Sequence, residues 1–250
     1  STQSNNYSMY FDGVNDLLEG GAANELDVST PNGLYNWSNL ITISAWIKPY
    51  ALTGSTQRII SHSSGGTGQQ YALTIDANGK IYFLAGSGAF EQGIGNISNS
   101  SVSINQWNHI AMTYDGIAVK LYLNGNLDFV HNVVDNFPSV NASIYLGQRA
   151  DGAEKFYGLM DDVSVWNIAL SQSEIQSYMY CFPQTPISSL VGHWNFESIA
   201  SNLVDDMSGH NSNLNIIGAT LSNNIPLQSC SLTTVNGCDS TAILNLTINQ

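Results

Sequence analysis

Charge is scarce in this chain. Only 10% of its 250 residues are Asp, Glu, Lys or Arg, where about a quarter is usual. Positive charge is scarcer still: 6 Lys plus Arg stand against 19 Asp plus Glu, a formal net charge of −13. No basic patch is available to neutralise phosphates, which argues against nucleic acid as a partner. Polyanions are repelled unless a cation bridges them, and cations are attracted. No apolar run reaches the ~18 residues that a membrane-spanning helix requires. The first residues, STQSNNYSMYF, lack the basic start and apolar centre of a signal peptide. The chain begins abruptly and reads as part of a larger multidomain protein. Cysteine is limited to Cys181, Cys230 and Cys238, and none has zinc-ligand spacing.

What is present is apolar and β-rich. Hydrophobic residues make up 43% of the chain, enough for one large core, and Asn, Ser, Gly and Thr supply the polarity. ITISAWIKP alternates, with Ile41, Ile43, Ala45 and Ile47 on one face. QYALTID and KIYFLA flank Asn78-Gly79, a hairpin signal of the primed type, in which φ is positive twice. WNHIAMTYD and AVKLYLNG flank Asp115-Gly116. Turn signals about every dozen residues predict a β-sandwich. One helix is predicted, with Ser171 as N-cap and Glu174 closing a capping box. After Cys181 the texture changes: FPQTPISS reads as a connector, and LVGHWNF and LNIIGATL read as further strands.

The stretch GLMDDVSVW poses a specific problem. Strict alternation puts Asp161 in line with Leu159, Val163 and Val165, a row that should face a core. A buried carboxylate is costly unless it is paired or coordinated. Either a cation sits opposite Asp161, or Asp161 accepts backbone N–H bonds while Asp162 is solvated.

Four stretches, in order, resemble one family. MYFDGVNDLLE is similar to its opening motif, ITISAWIKP to its second strand, WNHIAMTYDGIAVKLYLNGNL to its central hairpin, and IYLGQRADGAEKFYGLMDDVSVWNIALSQSEI to its closing motif. The chain thus resembles the LamG-like jelly roll of the concanavalin A-like lectin/glucanase superfamily, over about residues 7 to 180. SLTTVNGCDSTAILNLTI resembles the repeat tails of large secreted proteins of Bacteroidetes-type bacteria. The resemblance implies an all-β jelly-roll sandwich of two antiparallel sheets with one short helix. Residues 1–229 are assigned to that domain, and 230–250 to the tail of a following repeat or linker. Residues 187–221 resemble the segment that commonly precedes such a domain; here they follow it, and they are expected to complete the sheets, with the start of a second, truncated domain as the alternative.

The resemblance also implies Ca2+ joining the opening and closing motifs, with Asp12, Asp16, Asp161 and Asp162 as ligands and the choice between Asp161 and Asp162 open. The acidic DDMSGHNSN loop reads as a polar turn. The Glu-x-Asp-x-x-Glu pattern of hydrolases with this fold is missing, and the glutamates Glu19, Glu25, Glu91, Glu154, Glu174 and Glu197 are scattered. The expected function is a non-catalytic, extracellular carbohydrate-binding module, secreted or at the cell surface. A structural or adhesive spacer, or a protein-binding domain, is the alternative, and a glycoside hydrolase or lyase comes third. A neutral glycan suits the charge balance better than a polyanion. The expected ligand-binding residues are Phe90, Arg149, Asp151 and Phe156, on the rim built from GSGAFEQG and RADGAEKFYG, together with Tyr71 after GGTGQQ. Tyr157 is expected to pack locally, and Trp46, Trp107, Trp166 and Trp194 to lie in the core. Cys181 and Cys230 are expected to form a disulfide, with Cys230–Cys238 as the alternative; either needs an oxidising compartment.

Overall fold

The computed structural model describes residues 5–22, 26, 40–63, 69–85, 97–134, 137, 142–182 and 187–228. In chain order the strands are β1 (Ser8–Asp12), β2 (Leu17–Ala22), β3 (Ile41–Pro49), β4 (Gln57–Ser63), β5 (Gln69–Ile75) and β6 (Lys80–Ala85). They continue with β7 (Ile97–Ser101), β8 (Asn108–Tyr114), β9 (Ala118–Leu123), β10 (Asn126–Asn132), β11 (Ser143–Leu146) and β12 (Tyr157–Trp166). One helix, α1 (Gln172–Tyr180), precedes β13 (Leu190–Trp194), β14 (Ile199–Ala200), β15 (Leu203–Val204), β16 (Leu214–Ile217) and β17 (Thr220–Ser222).

Two antiparallel sheets stack face to face. The first runs β10-β9-β8-β3-β12-β1-β17, with β13 also paired to β12. The second runs β14-β15-β16-β2-β11-β4-β5-β6-β7. Alternation sets the faces. On β6, Ile81, Phe83 and Ala85 enter the core, and Lys80, Tyr82 and Leu84 stay half-exposed. Residues 190–222 contribute to both sheets: β13 pairs β12, β17 pairs β1, and β16 pairs β2.

Helix α1 starts where the capping box predicts. The Ser171 hydroxyl accepts the Glu174 N–H, and the Glu174 carboxylate accepts the Ser171 N–H at 2.7 Å. Its buried residues, Ile175 and Met179, cover the outer face of the first sheet, and Trp46 Nε1 donates to the Met179 carbonyl at 3.0 Å. The hairpins differ from the expectation in one detail. At Asn78-Gly79 only Gly79 has positive φ, because Asp76 Oδ1 ties down the N–H groups of Asn78 and Lys80. Doubly positive turns occur instead at Asn124-Gly125, with φ of 51° and 74°, and at Ser201-Asn202, with φ of 53° and 63°.

The alternation of β12 breaks where the sequence posed its problem. Met160, Val163 and Val165 all enter the core, so one extra residue lies between 160 and 163. The register with β3 shifts between Asp161 and Ser164, and Asp162 has φ +45°. This is a β-bulge. It corrects the expected face of Asp161, which turns to the outer side, in the cross-strand row with Trp46 and His109.

Candidate functional site

The bulge of β12 sits between two partners. β1 pairs with residues 157–160 and β13 with 163–166, leaving Asp161 and Asp162 in the gap between them. Asp161 is 0% exposed. Its Oδ2 accepts from Asn5 Nδ2 at 2.9 Å and its Oδ1 from the Asp162 N–H at 2.8 Å. Asp162 is not solvated: its Oδ1 lies 3.0 Å from His193 Nε2, and its Oδ2 accepts from Gln228 Nε2. Gln228 Oε1 accepts from Asn5 Nδ2 at 3.1 Å. Burial holds the Asp161 carboxyl well above the usual carboxylate range, and the Asp162 charge adds to this; the bonds from Asn5 and Asp162 N–H oppose it, and Glu197 raises it further. Asn5 Oδ1 is buried and has no hydrogen-bond partner among the described residues.

The four expected calcium ligands do not converge, which is a correction. Met9 pairs with Met160, so Ser8 is the β1 residue level with Asp161, and Asp12 lies four residues further on. At the strand rise that is about 13 Å. Asp12 and Asp16 instead brace a turn. Asp12 Oδ1 accepts from Val14 N–H at 2.7 Å, and Asp16 Oδ2 accepts from Asp12 N–H at 2.8 Å. Burial raises the Asp16 carboxyl, against the bond from the Asp12 N–H. Among the described residues no group of three or more His, Cys, Asp or Glu is arranged to hold a metal. The donors that fit a hard cation best are Asp161, Asp162 and the orphan Asn5 Oδ1, all oxygens.

The Asp12 turn lies beside an aromatic cluster. Tyr10 and Asp12 project from the outer face of β1, since Met9 and Phe11 fill the core. Tyr157 is the cross-strand partner of Asp12, and Tyr50 stands just past the end of β3, donating its N–H to the Tyr157 carbonyl at 3.0 Å. Ring centroids are 6.0 Å apart for Tyr10–Tyr50 and 5.5 Å for Tyr50–Tyr157. All three side chains are half-buried. Gly13, at φ +75°, makes room for this, because a Cβ there would stand 2.9 Å from Tyr157 Cβ. Trp107 is also half-buried rather than in the core, and its Nε1 donates to Asn224 Oδ1 at 3.0 Å. Trp46, Trp166 and Trp194 are buried.

The turn before Tyr157 carries a second polar group. Arg149 donates to both carboxylate oxygens of Asp151, at 2.8 and 2.6 Å, and to Glu154 Oε1 at 3.0 Å. Glu154 Oε2 accepts from the buried Arg58 at 2.5 Å. The Arg149 guanidinium pulls the Asp151 carboxyl down to about 2. Arg149 and Asp151 are thus neighbours at the surface, already bonded to each other. Two expected ligand-binding residues are corrected. Tyr71 stacks on His62 and Phe156 meets Phe11 edge-on, and both are 0% exposed. Alternation accounts for Tyr71, which shares the core-facing side of β5 with Leu73 and Ile75. Phe90, Cys230 and Cys238 lie outside the described residues.

Sequence reasoning passed over Tyr10 and Tyr50, and over Asn5, His193 and Gln228 around Asp162. The pattern in SMYFD held a signal for Tyr10, since it alternates against Met9 and Phe11. For Asn5 and Gln228 there was none, because they meet Asp161 and Asp162 only through the fold.

The family profile of the concanavalin A-like lectin/glucanases superfamily matches residues 20–176, more than half of the chain. The chain belongs to this superfamily. Its relatives include mouse usherin, 22% identical over 143 residues, and mouse pappalysin-1, 29% identical over 149 residues. These alignments cover 54% and 56% of the chain but only 3% and 9% of those proteins. Among solved structures, a candidate carbohydrate-binding protein from Bacteroides ovatus superposes with a TM-score of 0.67 at 17% identity, over 88% of this chain and 60% of that one. The heptameric SAP-like pentraxin of Limulus polyphemus superposes with a TM-score of 0.59 at 16% identity, over 89% and 97%. These superfamily likenesses establish the fold. No helix among the described residues is long and apolar enough to cross a membrane.

Proposed function

We propose that this superfamily domain is a non-catalytic carbohydrate-binding module of a larger extracellular protein, and that it holds a neutral glycan at the Tyr10, Tyr50 and Tyr157 end of the sandwich. The observation that carries this reading is the contact of three half-exposed tyrosines beside a carboxylate turn. Aromatic faces suit the C–H faces of sugars, and fixed polar groups suit their hydroxyls. The expected rim residues Arg149 and Asp151 sit on the turn that leads into Tyr157, with their charges already paired. A neutral ligand suits that arrangement. The Bacteroides ovatus structure favours the carbohydrate class. The carboxylates nearest the tyrosines, Asp12 and Asp16, are tied into one turn, which speaks against two carboxylates flanking a scissile bond.

A structural Ca2+ belongs to the same proposal, now at Asp161, Asp162 and Asn5 rather than at Asp12 and Asp16. The buried carboxylate and the unpartnered Asn5 oxygen support it. A Cys181–Cys230 disulfide belongs to the same proposal, since it suits the oxidising setting of an extracellular protein. The deciding experiment is a glycan array followed by calorimetry on wild type and Tyr50→Ala. Array hits whose affinity ignores Tyr50→Ala would move the site elsewhere. A blank array with a folded protein would favour the spacer.

A further inference from the structure

The angles between the tyrosine rings carry more than the presence of the rings does. Tyr50 and Tyr157 stand at 82°, edge to face, and Tyr10 is tilted by 40° from Tyr50. Rings that read the flat side of an extended polysaccharide have to be coplanar, since each stacks on a successive sugar along one plane. These three instead form a corner. Its floor is the cross-strand step from Asp12 to Tyr157 to Tyr50. The three hydroxyls make no hydrogen bond among the described residues, while Asp12 Oδ1 is engaged by Val14 and Asn15 and the Asp12 carboxylate lies beside that of Asp16. The corner therefore offers π-faces in two directions and one fixed acceptor beside several free hydroxyls. An aromatic face carries negative potential, which attracts the C–H bonds of a sugar ring, and a carboxylate oxygen accepts strongly from a hydroxyl.

We propose that this corner takes one uncharged sugar residue at a chain end or branch, seated against the outer side of the Tyr50–Tyr157 pair with a hydroxyl donating to the Asp12 carboxylate, and does not take the interior of a linear polymer. The inference rests on the carbohydrate reading above and names the part of the glycan that is read. Each ring wall can meet one sugar only, so chain length beyond the first units adds no contact.

The test is calorimetry with methyl glycosides and with linear oligosaccharides, disaccharide to hexasaccharide, of glucose, mannose, galactose and xylose, alongside pull-down on insoluble cellulose and chitin. The expected result is an affinity that stays level from the disaccharide upward for the sugar that binds, with no retention on the insoluble polymers. Tyr50→Ala and Tyr157→Ala are expected to bind about tenfold more weakly. Asp12→Asn, which keeps an oxygen for the Val14 N–H, is expected to lose binding with an unchanged melting temperature. An affinity that climbs with every added unit, or retention on the insoluble polymers, would overturn the chain-end inference and leave the carbohydrate reading standing. Binding that persists in both tyrosine variants would overturn this site. No binding by any neutral sugar would remove the carbohydrate reading itself. A Tyr157→Ala protein that fails to fold is replaced by Tyr157→Leu, which keeps the bulk and removes the π-face.

Discussion

His109 lies edge-on against Trp46, with ring centroids 5.3 Å apart and planes at 70°. Trp46 is itself tied to α1 through the Met179 carbonyl, so the imidazole is sealed between sheet and helix. Its Nδ1 has no hydrogen-bond partner among the described residues. Burial lowers the His109 pKa from its ordinary 6.5 to about 4, opposed by the charge of Asp162. The folded chain thus refuses a proton that the unfolded chain takes up. The stability linked to His109 is complete above its ordinary 6.5, is lost as the pH falls, and stops changing below about 4. At about 1.36 kcal/mol per pH unit the whole loss is about 3 kcal/mol. Urea unfolding of wild type and His109→Gln across this window checks it, with a flatter pH profile expected for the variant. Parallel profiles would count against a buried, neutral His109.

Metal dependence separates the two carboxylate pairs. If a cation occupies the bulge of β12, chelation lowers the melting temperature and added Ca2+ restores it, by about 2.7 kcal/mol at a hundredfold excess over Kd. Asp161→Asn and Asp162→Asn should both abolish the response. Asp12→Ala should keep it, because Asp12 lies at the other end of β1. Differential scanning fluorimetry on a stripped sample reads all three. A response lost only in Asp12→Ala would reinstate the site at the opening turn.

The Arg58–Glu154 pair should matter more than the neighbouring Arg149–Asp151 pair. Arg58 is 1% exposed, whereas Arg149 and Asp151 are about a third exposed at their side chains. Removing one partner of a buried pair costs about 3–5 kcal/mol, and an exposed pair contributes about 0–1 kcal/mol. Denaturant melts of Glu154→Ala and Asp151→Ala should therefore differ severalfold in lost stability. Equal losses would contradict the burial of Arg58.

Removing residues 187–250 should uncover edges in both sheets. β12 loses β13, β1 loses β17, and β2 loses β16. Open edges and a stripped core face promote association. Gel filtration of a 1–186 fragment should show aggregation or no soluble protein. A monomer with a cooperative melt would show that β13–β17 are dispensable.

Much of this architecture was legible in the sequence, because alternation and turn chemistry are local. The strand ITISAWIKP, the helix start at Ser171 and the two-sheet class follow from neighbours a few residues apart. What failed were inferences across distance. Strict alternation through Asp161 ignored a bulge, which costs one residue and reverses a face. Tyr71 and Phe156 read as loop aromatics, yet the core claimed them. The aromatic corner joins residues 10, 50 and 157, and only strand order makes those neighbours. Asp12 and Asp161 read as partners because the family resemblance implies a cation joining the opening and closing motifs; register, which the sequence leaves open, places them apart.

The seam between β1 and β17 has a mechanical meaning. Ser8 pairs with Ser222, and the strands are antiparallel, so the chain enters β1 and leaves β17 at the same end. Tension applied through residues 5 and 228 would pull these strands apart like a zipper, breaking one hydrogen bond at a time rather than loading all of them in shear. The first links to bear the force are not backbone bonds. They are Asn5 on Asp161, Gln228 on Asp162, and Asn5 on Gln228 at 3.1 Å, a side-chain clasp that holds both exits to the bulge of β12. In a module strung within a long chain, that clasp would take the load before any strand of the sandwich does.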